Sequence, residues 1–192
     1  MPDAAVSRWI AHLRRLAEPA ALPADTLGVG ALEAPFRAAV CHEKVNLPPQ
    51  PVQTGEFGLW WARVDDRVDV DEILAAPTDG PLLPQGLFRT IEVWTDAELS
   101  SLHALWWLAR ARDREEWRER LARARDWHLL RTQPDNATNR PWALHVFLLG
   151  GTGECVHYAE TLLHNCLTMT GRPDPLSAWI LLDSAQALEE AD

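Results

Sequence analysis

"TDAELSSLHALWWLAR", residues 95–110, decides the fold. Leu99, Leu102, Leu105, Trp106, Trp107 and Leu108 set apolar side chains nearly all round a helix. Such a helix is buried on most of its sides. Thr95 and Glu98 stand at capping-box spacing, in which the Thr oxygen accepts the Glu98 N–H and Glu98 reaches back to the Thr N–H. The stretch therefore predicts a central helix from Thr95 to about Arg110.

Downstream, Asp113 is predicted to cap a second helix whose seam is Trp117, Leu121, Ala124 and His128. Its outer face carries Glu116–Arg120 and Glu119–Arg123 at the i, i+4 spacing of solvated ion pairs. A polar loop, "RTQPDNATNRPWALHV" (131–146), follows, with Pro141 placed where a first helical turn tolerates proline. "WALHVFLL" (142–149) is again apolar all round, Gly150-Gly151 breaks it, and a further helix runs over about 153–170. Gly171 stops that helix, and Asp174-Pro175 opens the last, "PLSAWILLDSAQALEE" (175–190). Five helices are predicted between 95 and 190, with breaks near 111–113, 132–139, 150–153 and 171–174.

The text repeats. Ala104-Leu105 and Ala143-Leu144 align at an offset of about 39 residues, and Trp142 and Trp179 at about 37, a period that indicates stacked helical hairpins. The units resemble in architecture the αα-solenoids and αα-toroids, over residues 95–192. The resemblance implies a mainly α fold of αα-hairpin repeats in two layers. So few units need an end cap. Residues 1–192 are read as one domain, in which a loop-rich N-terminal part, 1–94, caps the repeat part, 95–192.

Within 1–94, Val6, Trp9, Ile10, Leu13, Leu16 and Ala17 share one helical face, which Pro19 ends. A weaker helix covers part of 31–43. "NLPPQPVQTGEFG" and "APTDGPLLPQG" are loops dense in Pro and Gly. Between them "LWWARVDDRVDVDEIL" fits a hairpin or short helices. Asp65-Asp66 is a poor two-residue hairpin turn, because both residues would need positive φ, so short helices are expected.

The formal net charge is −10. That balance argues against nucleic acid as a partner, since phosphate binding needs concentrated positive charge. A modest basic stripe between Arg110 and Arg131 is the local exception. No apolar run is long enough to span a bilayer, and the N-terminal residues do not read as a signal peptide. Three cysteines in such a chain read as reduced thiols in a cytoplasmic protein. Ten Trp are expected mostly in the core and between helices.

Candidate chemistry gathers around the polar loop. Gln133, Asp135, Asn136, Asn139 and Arg140 can all hydrogen-bond a ligand, and Trp142 follows them. The same residues form turns and caps, and Asn139 is expected to cap the next helix while Asp135 bonds within its own turn. His128 precedes the loop and His145 follows it, and with His103 they lie on largely apolar helices, where a histidine is most often a hydrogen-bonded core residue. Cys155, His157, His164 and Cys166 look like a zinc set, but helical residues two apart point to opposite sides, so Cys155 and His157 cannot share a metal. Glu160 with His164, at i, i+4, offers two ligands or an acid–base pair; the alternative is a solvated face. Phosphate loop, nucleophile elbow, H-E-x-x-H and CxxC patterns are missing, so no metal and no cofactor is expected.

Two functions follow. The first is a binding or scaffolding module for a protein partner or a small polar ligand. The second is an αα-toroid-type hydrolase, lyase or isomerase acting on a carbohydrate-like substrate through His128, Asp135, His145, Glu160 and His164. An enzyme needs at least two of those groups converging in one concave pocket. A binding module needs an exposed apolar patch.

Overall fold

The computed structural model describes residues 4–21, 33–74, 79–132, 138–168 and 171–191. The protein is mainly helical, and the described residues contain no strand. The order is α1 (Ala4–Ala17), α2 (Glu33–Val40), α3 (Gly55–Ala62), α4 (Val70–Ile73), a 3-10 turn (Gln85–Leu87), α5 (Ile91–Ala111), α6 (Glu115–Arg131), α7 (Leu144–Leu148), α8 (Gly153–Leu167) and α9 (Pro175–Glu190). Short helices α3 and α4 flank Asp65-Asp66, as the turn chemistry requires. No described helix is long and apolar enough to cross a membrane.

The central helix is α5. It packs against α3, α6 and α7, which explains why Leu99, Leu102, Ala104, Leu105 and Leu108 are all buried. α7 also packs on α8 and α9, and α1 lies along α9, so the first and last helices meet. Leu13 and Ala17 are the buried positions of α1. Trp60, Trp94, Trp117 and Trp142 are buried and the other six Trp are half-buried, which matches their expected packing role.

All five expected helices between 95 and 190 are present, but their starts differ in three places. α5 begins at Ile91, where Thr90 accepts the Val93 N–H at 3.4 Å. Thr95 lies inside the helix and donates to Ile91 O, so Thr95 and Glu98 form no capping box. Glu98 is taken instead by a tertiary contact described below. α6 begins after Arg114, which makes no side-chain cap; Asp113 adopts left-handed φ and receives an Arg118 bond at 2.6 Å.

The third difference concerns α7. It starts only at Leu144, behind Ala143 at φ 55°, so Pro141 stands outside the helix and Asn139 lies too far upstream to cap it. The physical reason is an acceptor on another helix: the Ala143 N–H donates to His103 Nδ1 at 3.1 Å. Thr138 makes the local turn, accepting the Arg140 N–H at 2.9 Å. Asn139 is exposed. Asn139→Ala, the substitution a cap would make costly, is therefore expected to leave the urea midpoint nearly unchanged.

Candidate functional site

The loop at 138–140 forms one wall of a groove of about 900 Å³. Glu56 and Phe57 of α3 face it, Glu92, Val93, Asp96 and Ala97 of α5 form its floor, and Phe88 and Asp174 close it. The helical spacing of Glu92 with Asp96 and of Val93 with Ala97 sets an acidic row beside an apolar one. Phe57, Val93 and the neighbouring Leu87 and Ile91 are exposed large apolar residues, with Leu87 at 78 %.

The groove is electrostatically lopsided. Arg140 is its one cation among the described lining residues, against Glu56, Glu92, Asp96 and Asp174. Burial pushes the Asp96 carboxyl above its ordinary range, while Thr138, which donates to it, and Arg140 partly offset that shift. Hydrogen bonds from the Thr90 hydroxyl and its own backbone hold Glu92 below its ordinary value, so it stays ionised. Asp174 accepts the Leu176 and Ser177 N–H groups as the cap of α9. Arg140 Nη1 is buried without a hydrogen-bond partner among the described residues.

The histidines lie elsewhere. His103, His128 and His145 are each fully buried. His103 and His145 meet edge to face with ring centroids 4.4 Å apart, and Trp60, Trp106 and Trp142 surround them. His103 Nε2 lies 2.6 Å from Asp183 Oδ2, which also accepts from Trp107 Nε1 at 2.7 Å. The Arg63 guanidinium stands 3.9 Å from the same oxygen and 5.1 Å from the centroids of Trp60 and Trp107.

Geometry fixes the protonation of this cluster. Nδ1 of His103 accepts a backbone N–H, so it carries no proton; Nε2 carries it and donates to Asp183. His103 is therefore neutral, and burial holds its pKa below the ordinary value despite Asp183. The carboxyl of Asp183 is buried, which opposes ionisation, yet donation from His103 and the Arg63 charge hold its pKa below the usual range. Ionised Asp183 and Arg63 balance each other.

A second buried network holds His128. Its Nδ1 lies 3.0 Å from Thr132 Oγ1, which also contacts the Tyr158 hydroxyl at 2.9 Å, and its Nε2 lies 3.4 Å from Glu98 Oε1. Glu98 accepts the Leu82 and Leu83 N–H groups at 2.6 and 2.7 Å, and Arg120 donates to Gly80 O and Pro81 O. Trp94 stacks on the His128 ring. This network clamps residues 80–83 onto α5 and α6.

The sequence candidates thus separate. Asn139 and Arg140 line the groove; His128 and His145 belong to two buried networks; Trp142 packs between Phe36 and Trp60. Gln133, Asp135 and Asn136 lie outside the described residues. On α8, Glu160 lies 4.0 Å from His157, and both are exposed, as is His164, while Cys155 and Cys166 face the core. Among the described residues no three His, Cys, Asp or Glu side chains are grouped to hold a metal ion. Burial raises the Cys41 and Cys166 thiols to about 12, which leaves neither as a thiolate nucleophile near neutral pH.

Sequence reasoning missed Asp96, Glu56, Glu92 and Asp174 as groove residues, and Asp183 as the partner of His103. Asp183 had a readable signal, a lone acid in the apolar run "WILLDSA" (179–185). The groove residues had none, because they come from three separate stretches.

The buried histidines set a pH dependence. Burial, His103 and the Arg63 charge hold the His145 pKa well below its ordinary value of 6.5. The unfolded chain then binds protons that the fold refuses, so stability is full above about pH 6.5 and falls as pH drops. For a histidine that stays neutral in the fold the loss reaches about 2 kcal/mol at pH 5. Urea midpoints at pH 7.5 and 5 should show the drop; equal midpoints would mean that the buried rings protonate in place.

Comparison with known proteins finds no matching family model, no matching curated protein and no matching solved structure.

Proposed function

We propose that the protein is a binding or scaffolding module, and that the groove between α3, α5 and the 138–140 loop holds its partner or ligand. The observation that carries this reading is the concave surface itself, large enough for a ligand and lined by Phe57, Phe88 and Val93 beside charged groups. The exposed apolar residues Leu87, Ile91 and Val93 at its edge are what an interaction site displays. In this reading the helix pairs α5–α6 and α7–α8 are stacked αα-hairpins that serve as a rigid support. The net charge of −10 favours a partner other than nucleic acid.

The carbohydrate-enzyme alternative has weaker support. Its His128 and His145 are fully buried, its His164 is exposed on α8 and does not line the groove, and no Trp is among the described lining residues to stack on a sugar ring. Titrating the labelled chain with indole, benzylamine and N-acetyl-leucinamide, followed by amide chemical shifts, tests the binding reading. Shifts concentrated on Phe57, Val93, Ala97 and residues 138–140 are expected, with affinity reduced about tenfold in Phe57→Ala, or roughly 1.4 kcal/mol. Shifts centred on any other surface, or none at all, would overturn it.

A further inference from the structure

Resting on that groove, we infer that its occupant is a basic, leucine-rich segment of a protein partner, with arginine or lysine side chains set beside aliphatic ones. Charge complementarity and the shape of the apolar surface carry the inference together.

Among the described lining residues four carboxylates, Glu56, Glu92, Asp96 and Asp174, stand with a single guanidinium, Arg140. The four line the same groove, and at physiological salt, where the Debye length is about 8 Å, screening leaves part of each field within such a cavity. Low-dielectric walls focus such a field and favour a cation over water there. Asp96 is the position where a cation gains most. Asp96 is half-buried, and a positive group next to its carboxyl would offset the desolvation that opposes its charge.

The apolar part selects a polymer over a small amine. Leu87 and Ile91 lie outside the lining but in the same stretch as Phe88, Glu92 and Val93, and they are 78 % and 48 % exposed. A small amine that fills the cavity leaves these two side chains in water. A peptide chain covers both, placing an aliphatic residue on the rim and its basic neighbour over the acidic row. Nη1 of Arg140, buried and without a hydrogen-bond partner among the described residues, becomes a donor to a main-chain carbonyl of that peptide once the side chain turns towards it. An acidic peptide meets repulsion from the lining, which supplies discrimination as well as affinity.

The test uses the full chain and three synthetic dodecapeptides with leucine at half of the positions and arginine, glutamine or glutamate at the rest. Fluorescence anisotropy at physiological salt is expected to give the arginine peptide at least a tenfold tighter Kd than the other two. Amide shifts should localise it to the groove. Glu92→Gln, an exposed change, and Asp96→Asn, a near-isosteric one, should each weaken the arginine peptide several-fold and together about tenfold. Neither should weaken the glutamine peptide. Glu119→Gln, on the outer face of α6, should change nothing.

Two results sink the inference while sparing the groove reading. One is glutamine and arginine peptides binding the groove equally. The other is an arginine peptide that binds there with an affinity indifferent to Glu92→Gln and Asp96→Asn alike. An arginine peptide whose shifts lie elsewhere, or that weakens equally with Glu119→Gln, reports only attraction to an acidic chain and also rejects the inference. If neither the peptides nor the fragments perturb the groove, both readings fall.

Discussion

Asp183→Ala is expected to cost about 3–5 kcal/mol of folding stability, the range for breaking a buried ion pair from one side. Asp183 is 4 % exposed and accepts from His103 and Trp107 while facing Arg63. Alanine strands three groups at once. Arg63 keeps a charge that burial already disfavours, and the N–H groups of His103 and Trp107 lose their acceptor in a dry site. Asp183→Asn can set its amide oxygen where Oδ2 stands and still accept from both donors, so it loses mainly the charge opposite Arg63 and should recover the larger part. The double variant Asp183→Ala with Arg63→Ala separates the terms. If the unpaired cation dominates, the double change costs less than the two single losses added. Denaturant unfolding at pH 7.5 reads the parent chain, the single variants Asp183→Ala, Asp183→Asn and Arg63→Ala, and the double variant. A loss below about 1 kcal/mol for Asp183→Ala would mean that water reaches Arg63 and His103 and that the cluster is not closed.

The same cluster shows what the sequence could carry. The all-round apolar pattern of residues 95–110 was enough to place a buried central helix, since periodicity reports burial directly. The helix breaks were legible for a similar local reason: Gly, Pro and polar runs act within a few residues of themselves. Helix starts were less legible. His103 accepts the Ala143 N–H across 40 residues, and no local reading of "NRPWALHV" contains that bond. Thr95 and Glu98 formed a valid local cap motif, yet burial of Glu98 against Leu82 and Leu83 outweighed it. The groove was half legible. Its loop residues Asn139 and Arg140 stood out as polar, while Glu92 lay before the expected helix start at Thr95, so its place in one row with Asp96 became visible only with the helix beginning at Ile91. A site assembled from four separate stretches leaves no pattern in any one of them.

Glu98→Ala is the second large expected effect, about 3–5 kcal/mol, and it reaches the groove. Glu98 is fully buried and its two oxygens accept the Leu82 and Leu83 N–H groups. Charge-assisted bonds of this kind contribute about 1.5–3 kcal/mol each, and their loss leaves two buried donors unpaired. Glu98→Gln retains one acceptor, so it should cost roughly half as much. Arg120 still holds Gly80 and Pro81 by their carbonyls, which predicts loosening confined to the chain after Pro81. That chain leads through the 3-10 turn at Gln85–Leu87 to Phe88, a wall of the groove. Amide hydrogen exchange is the discriminating measurement. Leu82 and Leu83 should lose protection in Glu98→Ala well before α6 and α9 do, and the groove should bind the arginine peptide more weakly although no lining residue has changed. Unchanged protection at Leu82 and Leu83 would show that packing of their side chains, both buried, holds the segment without the carboxylate.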